Sequence, residues 1–168
     1  MFKKNLLTLS AFFLIAFCLP NFVYAGWHEL SQSARNQAII NAACRDLNQT
    51  FAELSCKKWV QNVVKNASGG AVSVPQTVDP PGYYWYSSQY TIGRSSRIEN
   101  AKPGEIIQMD LTNYTDPHTA IVLSISAKGI TFIECNWCSN NCKIVSTRYV
   151  DFSTFYKQVV NFSIYYVR

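Results

Sequence analysis

The sequence predicts an α+β fold in which two helices come first and an antiparallel sheet follows. Two segments near the N-terminus carry apolar residues at helical spacing. The second half contains a series of apolar, β-branched and aromatic segments separated by short turns. Helices followed by a run of strands are typical of α+β folds rather than of alternating α/β folds. We therefore expect N-terminal helices packed on a sheet of four to six mostly antiparallel strands.

The first helix is predicted from about Leu30 to Asn48, where alanine and isoleucine recur every three or four positions between polar residues. The second is predicted from Cys56 to Asn66, with Ser55 as its N-cap, and the sequence "ASGG" ends it. Residues 71–90 follow, and they are too rich in proline, glycine and aromatic residues for regular structure.

Five later segments predict strands. A turn at Pro103-Gly104 precedes the first strand, and Lys128-Gly129 forms a tight turn between the second and the third. The segments, in order, are "KPGEIIQMDL", "HTAIVLSIS", "ITFIEC", "KIVSTRYV" and "VVNFSIYYVR".

The N-terminus has the pattern of a cleaved secretory signal. Lys3 and Lys4 precede an apolar stretch from Leu6 to Leu19, and small or apolar side chains stand at the −3 and −1 positions of a cleavage site after Ala25. The apolar stretch is shorter than the roughly 20 residues that a membrane span needs. We therefore expect residues 1–25 to be a signal peptide and the mature chain to be secreted or periplasmic, without stable membrane association.

Removal of 25 residues from 168 leaves 143, which suits a single domain at 26–168 with an extra N-terminal helix within 26–51. The formal charge of +5 falls to +3 when Lys3 and Lys4 leave. This charge suits weak attraction to an anionic surface such as a cell wall. Because the basic residues form no stripe, the sequence argues against nucleic-acid binding. We expect a monomer.

Cys56 and His118 are candidates for a nucleophilic pair. Cys56 begins a predicted helix, where unpaired N–H groups and the helix dipole favour a thiolate and can hold an oxyanion. His118 begins a predicted strand and could accept the thiol proton. The alternative is a buried structural cysteine together with an unrelated surface histidine.

A third group must orient the imidazole ring, and "FIECNW" supplies two candidates. Glu134 and Asn136 are two positions apart on a predicted strand, so both side chains are expected on one face. Cys135 between them is expected on the other face.

These pieces, in this order, resemble the CHAP family, the cysteine, histidine-dependent amidohydrolases/peptidases. The resemblance covers about Ala52 to Arg168 and rests on the cysteine at a helix start, "KPGEIIQMD", "HTAIVLSI", "FIECNW" and a closing aromatic strand. It implies a papain-like fold and hydrolysis of amide bonds in peptidoglycan, with no cofactor. Many members have a glutamine immediately before the cysteine, where this chain has Ser55, so no side chain is assigned as oxyanion donor.

The resemblance assigns Cys56 as the nucleophile, His118 as the base, and Glu134 and Asn136 as the residues that orient the ring. The predicted protein is then a secreted amidase or endopeptidase that forms a thioester on Cys56. The alternative is a papain-like module that binds the cell wall or a host target without turnover.

Five cysteines remain after signal removal, and an odd number in an oxidising compartment leaves one thiol outside the disulfides. If that thiol is Cys56, then Cys44 pairs with one of Cys135, Cys138 and Cys142, and the other two close a local loop. A zinc site built from the same four cysteines is the alternative, because C-x-x-C-x-x-x-C resembles a metal motif. Disulfides are favoured outside the cell, so no metal is expected.

Aromatic residues are the candidates for substrate binding. Tyr84 and Trp85 lie within four consecutive aromatic residues, and Trp137 follows the Glu134–Asn136 pair. These side chains could line a groove for a sugar or a peptide. The alternative is that the aromatic residues of the first group pack on the sheet.

Overall fold

The computed structural model describes residues 26–51, 54–72, 91–94, 97–113, 116–137 and 143–168. In these ranges the helices are α1 (Gln32–Arg45), α2 (Cys56–Ala67) and α3 (Phe152–Gln158). The strands are β1 (Thr91–Arg94), β2 (Ile106–Leu111), β3 (His118–Ile125), β4 (Gly129–Cys135), β5 (Val145–Asp151) and β6 (Val159–Val167). Single 3-10 turns occupy Trp27–Glu29 and Ile98–Asn100.

The six strands form one sheet in the order β1-β6-β2-β3-β4-β5, and every neighbouring pair is antiparallel. The predicted α+β class and the antiparallel sheet are therefore confirmed. The tight turn between β3 and β4 is also present, since the Ser126 N–H donates to the carbonyl of Gly129 at 2.9 Å.

The two faces of the sheet carry two separate apolar clusters, because side chains alternate along each strand. One face contributes Ile106, Ile121 and Ile133 to a core shared with α1 and α2. The other face contributes Ile107, Val122 and Phe132, and this core is shared with Phe155 of α3. The sheet is thus the middle layer, with α1 and α2 on one face and α3 on the other.

Helices α1 and α2 begin at side-chain caps that the sequence supplies. The Ser31 hydroxyl accepts from the N–H of Ala34, and the Ser55 hydroxyl accepts from the N–H of Lys58, both at 3.2 Å. The predicted cap at Ser55 is confirmed. The two helices are joined where the buried Trp59 donates its indole N–H to the Asp46 carboxylate at 2.9 Å.

The Pro103-Gly104 turn before β2 is packed directly on the backbone of α1. The Asn36 side-chain amide donates to the carbonyl of Pro103 at 2.9 Å, and the Gly104 N–H donates to the carbonyl of Val122 at 2.8 Å. Gly104 has a φ of 81°, and a Cβ there would lie 2.3 Å from the carbonyl oxygen of Asn36. The turn therefore holds α1 against the sheet and requires glycine.

Two elements were not predicted from the sequence. Helix α3 follows β5 directly, and the Asp151 carboxylate caps it by accepting from the N–H of Thr154 at 2.9 Å. Strand β1 is only four residues long and is defined by its pairing with β6. The only local sequence signal for α3 is its capping aspartate, Asp151. Strand β1 has no local signal, because it is defined by pairing with β6, which is distant in sequence.

The predicted signal peptide, residues 1–25, lies outside the described residues. Among the described residues, no helix combines the length and the apolar character that a membrane crossing requires.

We predict that Gly104→Ala destabilises the fold more than Gly70→Ala does. Both glycines have a positive φ, at 81° and 87°, but a Cβ on Gly70 meets nothing within 4 Å. The left-handed conformation alone costs about 1–2 kcal/mol for alanine, and overpacking against the backbone of α1 adds about 1–3 kcal/mol. Urea unfolding of both variants measures the difference. Equal losses of stability would show that the turn is not packed as described.

Candidate active site

Cys56 is the first residue of α2 and stands at the end of the sheet where β3 begins and β4 ends. Helix α2 packs on both of these strands. The thiol is buried, with 7% of the residue exposed. The first turn of a helix presents N–H groups for which the helix has no acceptor, and its dipole favours a negative charge. The position therefore favours a thiolate.

His118 opens β3 and contacts both of the groups that the sequence analysis proposed for it. Its Nε2 lies 3.0 Å from Oε2 of Glu134. Its ring also forms a hydrogen bond with Cys56. Because Nε2 is used by the carboxylate, Nδ1 is the nitrogen that faces the thiol. The imidazole therefore bridges the thiol and the carboxylate.

The charge state of His118 follows from these two contacts. Burial disfavours the imidazolium, but the hydrogen bonds and negative charges of Cys56 and Glu134 outweigh it and raise the pKa from 6.5 to about 9. The ring is therefore protonated at neutral pH. The same interaction favours the thiolate form of Cys56 over the thiol.

Glu134 is fully buried and is the residue that holds the ring. Burial alone would raise its pKa, but hydrogen bonds from His118 and Arg148, together with their positive charges, lower the pKa below its ordinary value. The side chain is therefore a carboxylate that accepts from both cations. Its position beside Nε2 is the one that an orienting group needs.

Asn136 is placed differently from the sequence expectation. Strand β4 ends at Cys135, and Asn136 has a left-handed backbone with a φ of 65°. The alternation of side chains along β4, from which Asn136 was predicted to share a face with Glu134, therefore ends at Cys135. The orienting role of Asn136 stays a prediction.

Arg148 is a site residue that the sequence analysis missed. It lies on β5, next to β4, and its Nε and Nη2 donate to the two carboxylate oxygens of Glu134, Nη2 at 3.1 Å. In the strand register Arg148 is opposite Phe132, two residues from Glu134 on the same face. The sequence signal that could have identified Arg148 is a charged residue in the predicted strand "STRYV", which follows the predicted strand that contains Glu134.

Trp137 contacts two residues of the site, His118 and Arg148. Its ring meets that of His118 edge-on, with centroids 4.8 Å apart. The Arg148 guanidinium lies over the same ring, 3.7 Å from its centroid. The left-handed Asn136 turns the chain so that Trp137 reaches both groups. Substrate binding by Trp137 stays a prediction.

The predicted bridge from Cys44 does not form. Cys44, Cys56 and Cys135 are all thiols in this structure. Cys135 is fully buried, and its Sγ donates to the carbonyl of Lys143 at 3.6 Å. Burial and the negative charges of Cys56 and Asp46 raise the pKa of Cys135 to about 11, so this thiol stays protonated. Cys135 is thus held as a neutral thiol, whereas Cys56 lies at a helix start beside His118, where the thiolate is favoured.

The remaining candidates fall outside the described residues. These are Tyr84 and Trp85, proposed for substrate binding, and Cys138 and Cys142, proposed for the local disulfide or a zinc site. Within the described ranges, no group of three or more histidine, cysteine, aspartate or glutamate side chains could hold a metal ion.

Comparisons with known proteins give a fold and no family. No protein-family model and no curated protein matches the chain. The crystal structure of Ly7917 with the hydrolyzing product of MDP matches with a TM-score of 0.57 and 14% identity, over 79% of this chain and 62% of that chain. The crystal structure of Ly7917 matches with a TM-score of 0.53 and 12% identity, over 77% and 61%.

The matched region therefore spans less than two thirds of the length of Ly7917. At this identity the likeness concerns the fold alone. It agrees with the predicted α+β, papain-like arrangement of helices on an antiparallel sheet.

We predict that His118 titrates near pH 9 in the native protein and at a lower pH in Cys56→Ala. The alanine removes a hydrogen bond and a negative charge that raise the imidazole pKa, while the burial that lowers it remains. The imidazole proton resonances, followed by NMR against pH, measure both values. His28→Gln assigns the signals, because His28 and His118 are the two histidines of the chain.

A native His118 that titrates near 6.5, or one whose midpoint is the same in Cys56→Ala, would contradict the thiolate–imidazolium pair.

Proposed function

We propose that this protein is a cysteine hydrolase that cleaves amide bonds of bacterial peptidoglycan, as an amidase or an endopeptidase of the CHAP type. The observation that carries the proposal is the contact chain from Cys56 through His118 to Glu134. A nucleophile, a base and an orienting carboxylate in this order are the parts that amide hydrolysis by a thiol requires. A module that only binds would not need them.

In the acylation step the Cys56 thiolate attacks the carbonyl carbon of the amide, forming a C–S bond and placing the charge on the carbonyl oxygen. The backbone N–H of Cys56, at the start of α2, is the proposed donor to that oxyanion. The His118 imidazolium then gives its Nδ1 proton to the amide nitrogen. The C–N bond breaks, the amine leaves, and a thioester remains on Cys56.

In the deacylation step the neutral His118 takes a proton from water, and the hydroxyl attacks the thioester carbonyl. The C–S bond breaks, the carboxylic acid leaves, and the thiolate–imidazolium pair is restored. Glu134 stays ionised throughout and holds Nε2–H, so that Nδ1 points at the reacting atoms.

Two independent likenesses support peptidoglycan as the substrate. The sequence order of the cysteine, the "PGEI" turn and strand, the histidine strand and "FIECNW" resembles the CHAP family. The fold resembles that of Ly7917, whose crystal structure holds the hydrolyzing product of MDP. MDP is muramyl dipeptide, a peptidoglycan fragment, so an amide between muramic acid and peptide, or within the peptide, is the proposed bond.

We also propose that the protein acts outside the cytoplasm after cleavage behind Ala25, on the pattern of its first 25 residues. Edman sequencing of the exported protein would then begin at Gly26, and an intact Met1 on that protein would rule this out.

We predict that Cys56→Ala abolishes peptidoglycan cleavage, with a loss on the order of 10⁴-fold or more, because no nucleophile remains. Glu134→Gln should lose less, about 10²- to 10⁴-fold, because the ring keeps its place but loses its charged partner. Digestion of purified peptidoglycan, with product masses read by mass spectrometry, measures the rates and identifies the bond.

Cys44→Ala is the matched control, since Cys44 also lies on a helix but packs against the apolar core. It should keep the native rate. Native-rate cleavage by Cys56→Ala would exclude the thioester mechanism, and absence of cleavage by the native protein would favour a binding module instead.

A further inference from the structure

Building on the proposed function, we infer that Arg148 is a positioning residue of the active site, which keeps Glu134 ionised and in place so that the thiolate–imidazolium pair persists at neutral pH. Among the described residues, Arg148 contacts Glu134, Trp137 and Phe132, and none of these contacts involves Cys56. It acts through Glu134 and, by packing, through Trp137.

The contacts of Arg148 fix the carboxylate at both oxygens. Nε donates to Oε1, and Nη2 donates to Oε2 at 3.1 Å. Oε2 is also the oxygen that accepts from Nε2 of His118 at 3.0 Å. The two-point contact prevents rotation of the carboxylate, and the shared oxygen links the guanidinium to the imidazole in one continuous set of hydrogen bonds.

The guanidinium packs over two aromatic rings. It lies 3.7 Å from the ring centroid of Trp137 and 5.4 Å from that of Phe132. Only 19% of its side chain is exposed. Trp137 also touches the His118 ring. A planar guanidinium suits this position because it forms two parallel hydrogen bonds to the carboxylate and stacks on the rings, whereas the ammonium of a lysine does neither.

The effect of Arg148 on the ionisation of the Cys56 thiol follows from the charges of four buried groups. The Cys56 thiolate and the Glu134 carboxylate are negative, while the His118 imidazolium and the Arg148 guanidinium are positive, so the buried cluster is neutral. These four are the charged groups that act on His118 and on Glu134. Without Arg148 the cluster carries one negative charge, which is costly to bury.

That charge is relieved by uptake of one proton, either on the thiolate or on the carboxylate. Protonation of the thiolate removes the nucleophile directly. Protonation of Glu134 weakens the imidazolium and with it the partner of the thiolate. Both routes move the formation of the Cys56 thiolate to higher pH.

The test is the pH titration of the Cys56 thiolate, followed by its ultraviolet absorbance in the mature protein against a matched Cys56→Ala background. In Arg148→Met we expect the midpoint to rise by about one pH unit or more.

Arg148→Lys keeps the charge, so its midpoint should stay within about 0.3 units of the native value, although its rate of hydrolysis should fall. Arg97→Met is the control, because Arg97 is an exposed surface arginine whose ion pair is with Glu99.

A double-mutant cycle with Glu134→Gln keeps the test decisive if Arg148→Met does not fold, since removal of both charges avoids an unpaired buried carboxylate. If Arg148 acts mainly through Glu134, then Arg148→Met raises the midpoint less in the Glu134→Gln background than in the native background, and its cost to hydrolysis is smaller there as well. Native-like midpoints in Arg148→Met, or shifts that simply add, would overturn the inference. The titration needs no substrate, so a native protein that fails to cut peptidoglycan refutes the proposed function separately.

Discussion

The buried carboxylate of Glu134 is the group on which the arrangement of the site depends. It is fully excluded from water, and an ionised carboxylate in such a place is stable only with hydrogen bonds and opposite charges around it. Arg148 and His118 provide both. Removal of one partner from a buried pair typically costs about 3–5 kcal/mol, so the carboxylate constrains its neighbours as strongly as they constrain it.

The sheet makes this cluster possible because three adjacent strands each contribute one member. His118 begins β3, Glu134 lies near the end of β4, and Arg148 lies on β5. In an antiparallel sheet the start of β3 adjoins the end of β4, so His118 and Glu134 meet there, and the Arg148 side chain reaches Glu134 from the middle of β5. Helix α2 brings the thiol to the same end, and the cap at Ser55 fixes where that helix begins.

Much of this could be predicted from sequence where the signal is local. The spacing of apolar residues gave the helices, Pro103-Gly104 and Lys128-Gly129 gave the turns, and a cysteine at a helix start gave the candidate nucleophile. The contact of Glu134 with His118 also agreed with expectation.

The errors concern features that depend on distant parts of the chain or on backbone conformation. Arg148 becomes a site residue only through the pairing of β5 with β4, which a single sequence does not specify. Asn136 lies beyond the last residue of β4 and has a left-handed backbone, so the alternation from which its face was predicted does not reach it. The pairing of Cys44 was inferred by counting cysteines, and counting cannot place Cys135, whose thiol lies buried beside the carbonyl of Lys143.

We propose that the sulfur of Cys56 becomes covalently acylated by a peptidoglycan fragment during turnover. Rapid acid quenching of the protein during turnover, followed by intact-mass and peptide-mass measurement, tests this directly. We expect a mass increase equal to the acyl part of the substrate, located on the peptide that contains Cys56 and removed by hydroxylamine. Turnover without any adduct on that peptide, or an adduct on another residue, would contradict it.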